Sequence, residues 1–250
     1  MERLDREDLS SFFVPDEPLA PGLSISLGDE VLHHMRVRRL GVGVRLALLD
    51  GHGQRAVGTL VRMSKSSATV EVEAVETTPP LPPVHLLVPI ADRDRMLWLA
   101  EKCAELGATS WRPVLYRRSR SVKPRGEGVT FTGKLRARMA SALEQSGGSW
   151  LPALYPEASL ERAVGALPDG ARVVLDAMGA PLLAQRLEAP VTIAIGPEGG
   201  LEEEELAYLA QAGFVRAALG GHILRFETAA ISGLAIARSS LATPESSDVS

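Results

Sequence analysis

Two glycine-broken stretches between Val191 and Leu241 carry the residues best suited to hold a small molecule. The first, Gly196-Pro197-Glu198-Gly199-Gly200, follows five apolar residues, Val191 to Ile195, the pattern of a strand buried on both faces. The second, Gly220–Gly221, follows the strand-like run Phe214 to Leu219 and leads into Ile223 and Leu224. Arg225 and Glu227 are the only charged pair beside that second loop. In open α/β sheets ligands bind beyond the carboxyl ends of the strands, where such loops sit. The chain has neither G-x-G-x-x-G nor G-x-x-x-x-G-K-[ST], the loops that cradle phosphates. Glu202 to Glu205 place four carboxylates beside the first loop, poor company for a polyphosphate. A ligand held here reads as nucleoside-like and phosphate-free. The same spacing also suits a doubly wound sheet whose glycines do no more than turn the chain.

The elements that would position these loops follow from periodicity. After the first loop a helix is expected, its opening glutamates complementing the macrodipole, with Leu206, Leu209 and Ala210 as its inner stripe and Gly213 as its stop. A last helix begins at about Glu227 with Ile231, Leu234, Ala235 and Leu241 on one stripe. The small residues Ala229, Ala230, Ser232, Gly233 and Ala237 crowd its remainder and permit close packing. Upstream, Val84 to Ile90 reads as a buried strand, and Arg93 to Leu106 as a helix burying Met96, Leu99, Ala100 and Cys103, stopped by Gly107. Trp111 to Tyr116 is a strand, Leu135 to Ser146 a helix, and Ala171 to Leu175 a strand ending at Asp176. The loop after it, DAMGAP, faces the same side as the two glycine loops.

Residues 1–78 read differently, as a small antiparallel sheet or β-barrel. A short helix, Asp29 to Leu40, precedes three β-like runs, Val44 to Leu49, Gln54 to Arg62 and Ala68 to Val75. Asp50-Gly51-His52-Gly53 is a hairpin signal between the first two. Pro79, Pro80, Pro82 and Pro83 form a stiff connector over 79–83. The α/β domain is expected over 84–241, and 242–250 as a disordered polar tail.

With 45% hydrophobic and 23% charged residues the chain is globular, and a net charge of −4 excludes a protein coated in positive charge. Locally the balance reverses. Between Tyr116 and Arg138 lie Arg117, Arg118, Arg120, Lys123, Arg125, Lys134, Arg136 and Arg138, against Glu127 alone. Such a cluster suits a solvated surface loop, but in a net-acidic chain it reads rather as the footprint of phosphate contacts with RNA, and Arg36, Arg38 and Arg39 form a second basic group. The single cysteine, Cys103, rules out an intrachain disulfide and reads as core packing. His33, His34, His52, His85 and His222 lack ligand spacing, so no metal is expected. No apolar run reaches membrane-spanning length, and MERLDREDLS has no signal-peptide core. A cytoplasmic protein is expected.

The wording of the two loops adds to their geometry. IGPEGGL followed by LGGHILRFETAA resembles the paired motifs of the SPOUT methyltransferases and, within them, the RsmE-type ribosomal RNA uridine-N3 methyltransferases. EKCAELGA, SFFVPDEPL, HHMRVRR and LLDGHG resemble further landmarks of that family. The resemblance implies a trefoil-knotted, mostly parallel sheet with helices on both faces, and a PUA-like RNA-binding domain at 1–78. It also implies a homodimer acting on ribosomal RNA or the small ribosomal subunit. S-adenosylmethionine would be held by Leu175, Ile195, Gly196, Pro197, Glu198, Gly200, Leu219, Gly220, Ile223 and Leu224. RNA would be held by Arg36, Arg38, Arg39, Arg117, Arg118, Arg120 and Lys123.

Uracil N3 must lose a proton and present its pairing edge unpaired or flipped out. Arg225 could stabilise charge on a uracil oxygen or anchor a phosphate. Glu227 could accept the proton, directly or through water, or cap the last helix. Two positions depart from the family pattern: Gly148 in EQSGG and His222 in LGGHILR stand where arginines are usual. Two other readings stay open: a SPOUT methyltransferase acting on another RNA, and a non-catalytic RNA-binding protein.

Overall fold

The computed structural model describes residues 9–119 and 128–241, and the chain divides into two units. Arg120, Lys123, Arg125, Glu127 and the 242–250 tail lie outside the described residues. The first unit comprises residues 1–80 and 140–151, so a segment read from the sequence as part of the second domain groups here instead.

Its elements are β1 (Ser11–Phe13), β2 (Ser24–Leu27), α1 (Asp29–Val37), β3 (Arg45–Leu49), β4 (Gln54–Met63) and β5 (Ala68–Thr77). They form one sheet in the order β1-β3-β4-β5-β2, antiparallel except that β1 runs parallel to β3. Alternation places Ala68, Val70 and Val72 of β5 inward, against Leu46, Leu48, Leu60 and the Leu32 and Met35 side chains of α1. The β3–β4 hairpin turns where expected. The Asp50 carboxylate accepts from the His52 and Gln54 amides at 2.7 and 2.9 Å, and Gly51 and Gly53 take positive φ. The helix is shorter than expected: Arg39 adopts φ 56° and Leu40 N donates to Met35 O at 3.0 Å, closing it before Arg38.

The second unit comprises residues 81–139 and 152–250. In chain order come β6 (Val84–Pro89), α2 (Arg93–Glu105), β7 (Ser110–Leu115), α3 (Gly128–Ser146), β8 (Ala153–Leu154), β9 (Ala158–Ser159), α4 (Leu160–Gly165), β10 (Ala171–Pro181), β11 (Val191–Ile195), α5 (Glu203–Gln211), β12 (Val215–Ala218) and α6 (Phe226–Leu241). α3 begins seven residues before the expected Leu135, and its last residues belong to the first unit. The strands form a parallel sheet, β12-β10-β11-β6-β7-β8, with β9 also paired to β7. Every residue of β11 is buried, as a central parallel strand requires.

Three expectations need correction. β10 does not end at Leu175: Leu175 and Ala180 both pair with Ala217, so residues 176–179 leave the ladder and return to it. In α5, Ala210 is exposed and Glu205 takes the inner position, because its carboxylate serves as a hydrogen-bond acceptor there. In α6, Ala235 is exposed, while Ala230, Gly233, Leu234 and Ala237 are buried. Small residues share the packed face with Leu234 because the helix lies close on the sheet: a Cβ on Gly233 would stand 3.0 Å from Leu175 Cδ1.

Candidate ligand-binding site

Because β10, β11 and β12 run parallel, the loops that follow Leu175, Ile195 and Ala218 emerge at one edge. Together with the first turn of α6 they enclose a cavity of about 350 Å³. All ten sequence-predicted cofactor residues line it: Leu175, Ile195, Gly196, Pro197, Glu198, Gly200, Leu219, Gly220, Ile223 and Leu224. The structure adds Asp176, Ala177, Gly199, Leu201, Ala217, His222, Phe226 and Ala229. Pro197 to Gly200 form a tight turn closed by Gly200 N to Pro197 O at 2.8 Å, with Gly200 at φ +75°, a conformation that favours glycine.

Asp176 is fixed at the start of the β10 excursion, accepting from Met178 N at 2.7 Å and facing Arg216 Nη2 at 2.9 Å. Burial alone would raise its carboxyl, but the Arg216 and Met178 hydrogen bonds outweigh it and hold the group below the usual carboxylate range.

The expected catalytic pair sits beside the cavity without lining it. Arg225 is exposed, and its carbonyl accepts from Ala229 N at 2.9 Å as α6 begins. Glu227 is buried, its Oε1 3.8 Å from Arg95 Nε and its Oε2 without a hydrogen-bond partner among the described residues. Arg95 also pairs with Glu198, so one guanidinium faces carboxylates from the glycine loop and from α6. Nothing in the spacing of the sequence marks Arg95; only its place in the first turn of a helix, where a cation opposes the macrodipole, sets it apart.

The basic residues divide in their surroundings. Arg117 pairs with Glu202 and Glu204, and Arg118 bonds the Gly199 carbonyl and faces Glu202. Hydrogen bonding to Glu202, with Glu204 adding to it, raises Arg117 further above its ordinary value. Arg36 donates to the carbonyls of Ser64 and Lys65. Arg38 lies over the Phe12 ring and 3.9 Å from Glu144, which itself accepts from Phe13 N. Arg39 is exposed. Burial pushes the Cys103 thiol up, in keeping with a core residue. Among the described residues no cluster of three or more His, Cys, Asp or Glu is placed to hold a metal ion, and no helix is long and apolar enough to cross a membrane.

A parallel α/β sheet with a loop-walled pocket at its carboxyl edge, in one chain with a separate β-sheet unit, defines a ligand-binding α/β protein with an accessory module. Comparison gives it a family. The family described as RNA methyltransferase domain matches residues 78–238, and the RNA methyltransferase PUA domain matches 27–73. The chain is similar to the ribosomal RNA small subunit methyltransferase E of Synechocystis, with 30% identity over 85% of this chain and 72% of that one. The Bacillus subtilis protein of the same name is 27% identical over 86% of this chain and 89% of its own. Among solved structures, that enzyme from Neisseria gonorrhoeae bound to S-adenosyl methionine superposes with a TM-score of 0.85 at 27% identity, covering 92% of this chain and 97% of that one. A Legionella pneumophila methyltransferase in complex with the same cofactor gives 0.85 at 26% identity, with the same coverage. The chain belongs to the RNA methyltransferase family of the ribosomal RNA small subunit methyltransferases E, within the SPOUT class.

Proposed function

We propose that this chain methylates N3 of a uridine in small-subunit ribosomal RNA, using S-adenosylmethionine held in the cavity between its three loops. The observation that carries the cofactor part of this reading is the cavity lining, which includes Asp176 and Glu198 and, among the described residues, no lysine or arginine; uridine N3 rests on the resemblance of the two loop motifs alone. Both carboxylates are already paired, Asp176 with Arg216 and Glu198 with Arg95, and the lining offers a phosphate no lysine or arginine of its own, so it suits a phosphate-free nucleoside. The volume lies within the range of small-ligand sites. Leu175, Ile195, Leu219, Ile223 and Leu224 would pack against the purine, backbone groups of the two glycine loops would bond its edge, and the two carboxylates would face hydroxyl or ammonium groups. When bound, the cofactor supplies an electrophilic methyl on a sulfonium sulfur.

The remaining work falls to the chain. Methyl transfer needs alignment above all, and a packed cavity on rigid strands provides it. Arg225, exposed beside the cavity, would favour negative charge on a uracil oxygen as N3 loses its proton. Glu227 would accept that proton through water, since it is buried and not among the lining residues. Residues 1–78 would serve as the RNA-binding module and 84–241 as the catalytic one, with Arg36, Arg38, Arg39, Arg117, Arg118, Arg120 and Lys123 meeting phosphates. The acting form would be a homodimer, and the proposed substrate places the reaction in the cytoplasm.

N3 methylation blocks the pairing edge, so the test is a reverse-transcription stop. Unmodified small-subunit RNA or particles, incubated with the purified chain and S-adenosylmethionine, should acquire one stop at a uridine, with a methyl mass increment on that nucleoside. No stop with a methylated product elsewhere would move the target to another RNA position. Cofactor affinity with no methyl transfer to any RNA would favour a binding protein.

A further inference from the structure

Arg118 does not line the cavity, yet it packs on a residue that does. A Cβ added to Gly199 would stand 3.3 Å from Arg118 Cβ and 3.4 Å from its Cδ, so the arginine stem covers the glycine directly. Arg118 Nη1 donates to the Gly199 carbonyl at 2.9 Å, and its Nε lies 3.6 Å from Glu202 Oε1. One side chain therefore touches both the glycine turn and the residue that caps α5.

The position of Arg118 is itself built. After β7 the chain makes a turn from Tyr116 to Ser119 that is closed twice: Ser119 N donates to Tyr116 O at 3.0 Å, and Tyr116 N donates to Ser119 Oγ at 3.1 Å. Tyr116 is buried, and the Arg117 amide donates to the buried Glu205 carboxylate at 2.9 Å. The other oxygen of Glu205 accepts from Glu202 N at 2.8 Å. An exposed ion pair by itself contributes little. Here a charged hydrogen bond to a carbonyl, stem packing and a backbone anchored on a buried carboxylate all act on one side chain.

We propose that Arg118 is a positioning residue for the ligand loop: it bears on Gly199 and holds the Pro197–Gly200 turn in the shape that binds the cofactor. The proposal rests on the assignment of the cavity to S-adenosylmethionine, and it makes loop support, rather than phosphate contact, the first task of Arg118. The glycine at 199 then has a reason of its own, since any side chain there would displace the arginine stem.

The test uses the full chain and four variants: Arg118→Ala, Arg118→Lys, Gly199→Ala and the Arg118→Ala/Gly199→Ala double. Calorimetry without RNA measures affinity for S-adenosylmethionine, hydrogen exchange of the 199–201 amides in the ligand-free protein measures loop order, and thermal melting verifies folding. Arg118→Ala should weaken binding roughly three- to tenfold and speed exchange at Gly200, whose amide bonds Pro197. Arg118→Lys should recover part of both. Gly199→Ala should cost somewhat less affinity in the Arg118→Ala background than alone, because the Cγ and Cδ contacts are gone while the 3.3 Å contact with Cβ stays. Unchanged affinity and exchange in folded Arg118→Ala would overturn the proposal. If the unaltered chain binds no S-adenosylmethionine, the cofactor assignment fails, and unchanged exchange still separately refutes loop support.

Discussion

Arg225 and Glu227 stand two residues apart in opposite surroundings, one exposed before α6 and the other buried in its first turn, near Arg95. A cation that faces solvent beside the pocket is free to meet RNA without touching the cofactor. Arg225→Ala should therefore lower kcat about a hundredfold or more and leave S-adenosylmethionine affinity unchanged, as single-turnover kinetics and calorimetry would show. Arg39 offers a second residue-scale outcome. It holds a left-handed φ of 56° at the end of α1, where a Cβ is strained. Arg39→Gly should raise unfolding stability by about 0.5–1 kcal/mol while reducing the salt slope of RNA binding by about one unit; a variant that changes neither would remove Arg39 from the interface. Residues of the pocket were legible because glycine, proline and the apolar runs before them announce turns at strand ends. Arg95 was not, since what gives it meaning is a carboxylate more than a hundred positions away, Glu198 or Glu227, and the pairing of Arg38 with Glu144 was hidden in the same way.

At the scale of elements, the junction of β10 and β12 couples one wall of the cavity to the sheet. Arg216 of β12 clamps Asp176 where β10 leaves its ladder. The folded carboxyl releases its proton more readily than an unfolded one. Its contribution to stability is thus complete above the ordinary aspartate value of about 3.9 and is lost as pH falls through the lower folded value. Denaturation of the unaltered chain and of Arg216→Ala over a pH series should show a gap at neutral pH that closes in strong acid; a gap constant down to the acid limit would refute the clamp. The strand identities of β11 and β12 followed from their apolar runs. The excursion within β10 did not, because its return to the ladder depends on pairing with Ala217, which leaves no mark on residues 176–181 themselves. The face of α6 was legible only in part: Leu234 is buried as large apolar residues usually are, but the close approach of the sheet at Gly233 also buries Ala230 and Ala237, which the pattern of large residues does not mark.

For the whole molecule, the proposed homodimer is open to light scattering at micromolar concentration, where a mass of about twice 26.7 kDa is expected and a monomer would refute it. The two-part organisation was visible in the change from alternating to continuous apolar runs across the proline connector, whereas the grouping of residues 140–151 with the first unit depends on contacts such as Glu144 with Phe13, invisible to local pattern. The order of the parallel sheet has a kinetic consequence. β6 pairs on one side with β7, soon after it in the chain, but on the other side with β11, Val84 lying opposite Val191. During synthesis β6 thus waits for more than a hundred further residues before its second edge is covered, with its buried-type side chains and unpaired amides exposed meanwhile. The first unit's β3–β4–β5 meander pairs near neighbours and can form early, while closure of the larger sheet pays its loop-closure entropy late. The half-made sheet, not the finished enzyme, is the stage at which this chain is most exposed to aggregation and most in need of a chaperone.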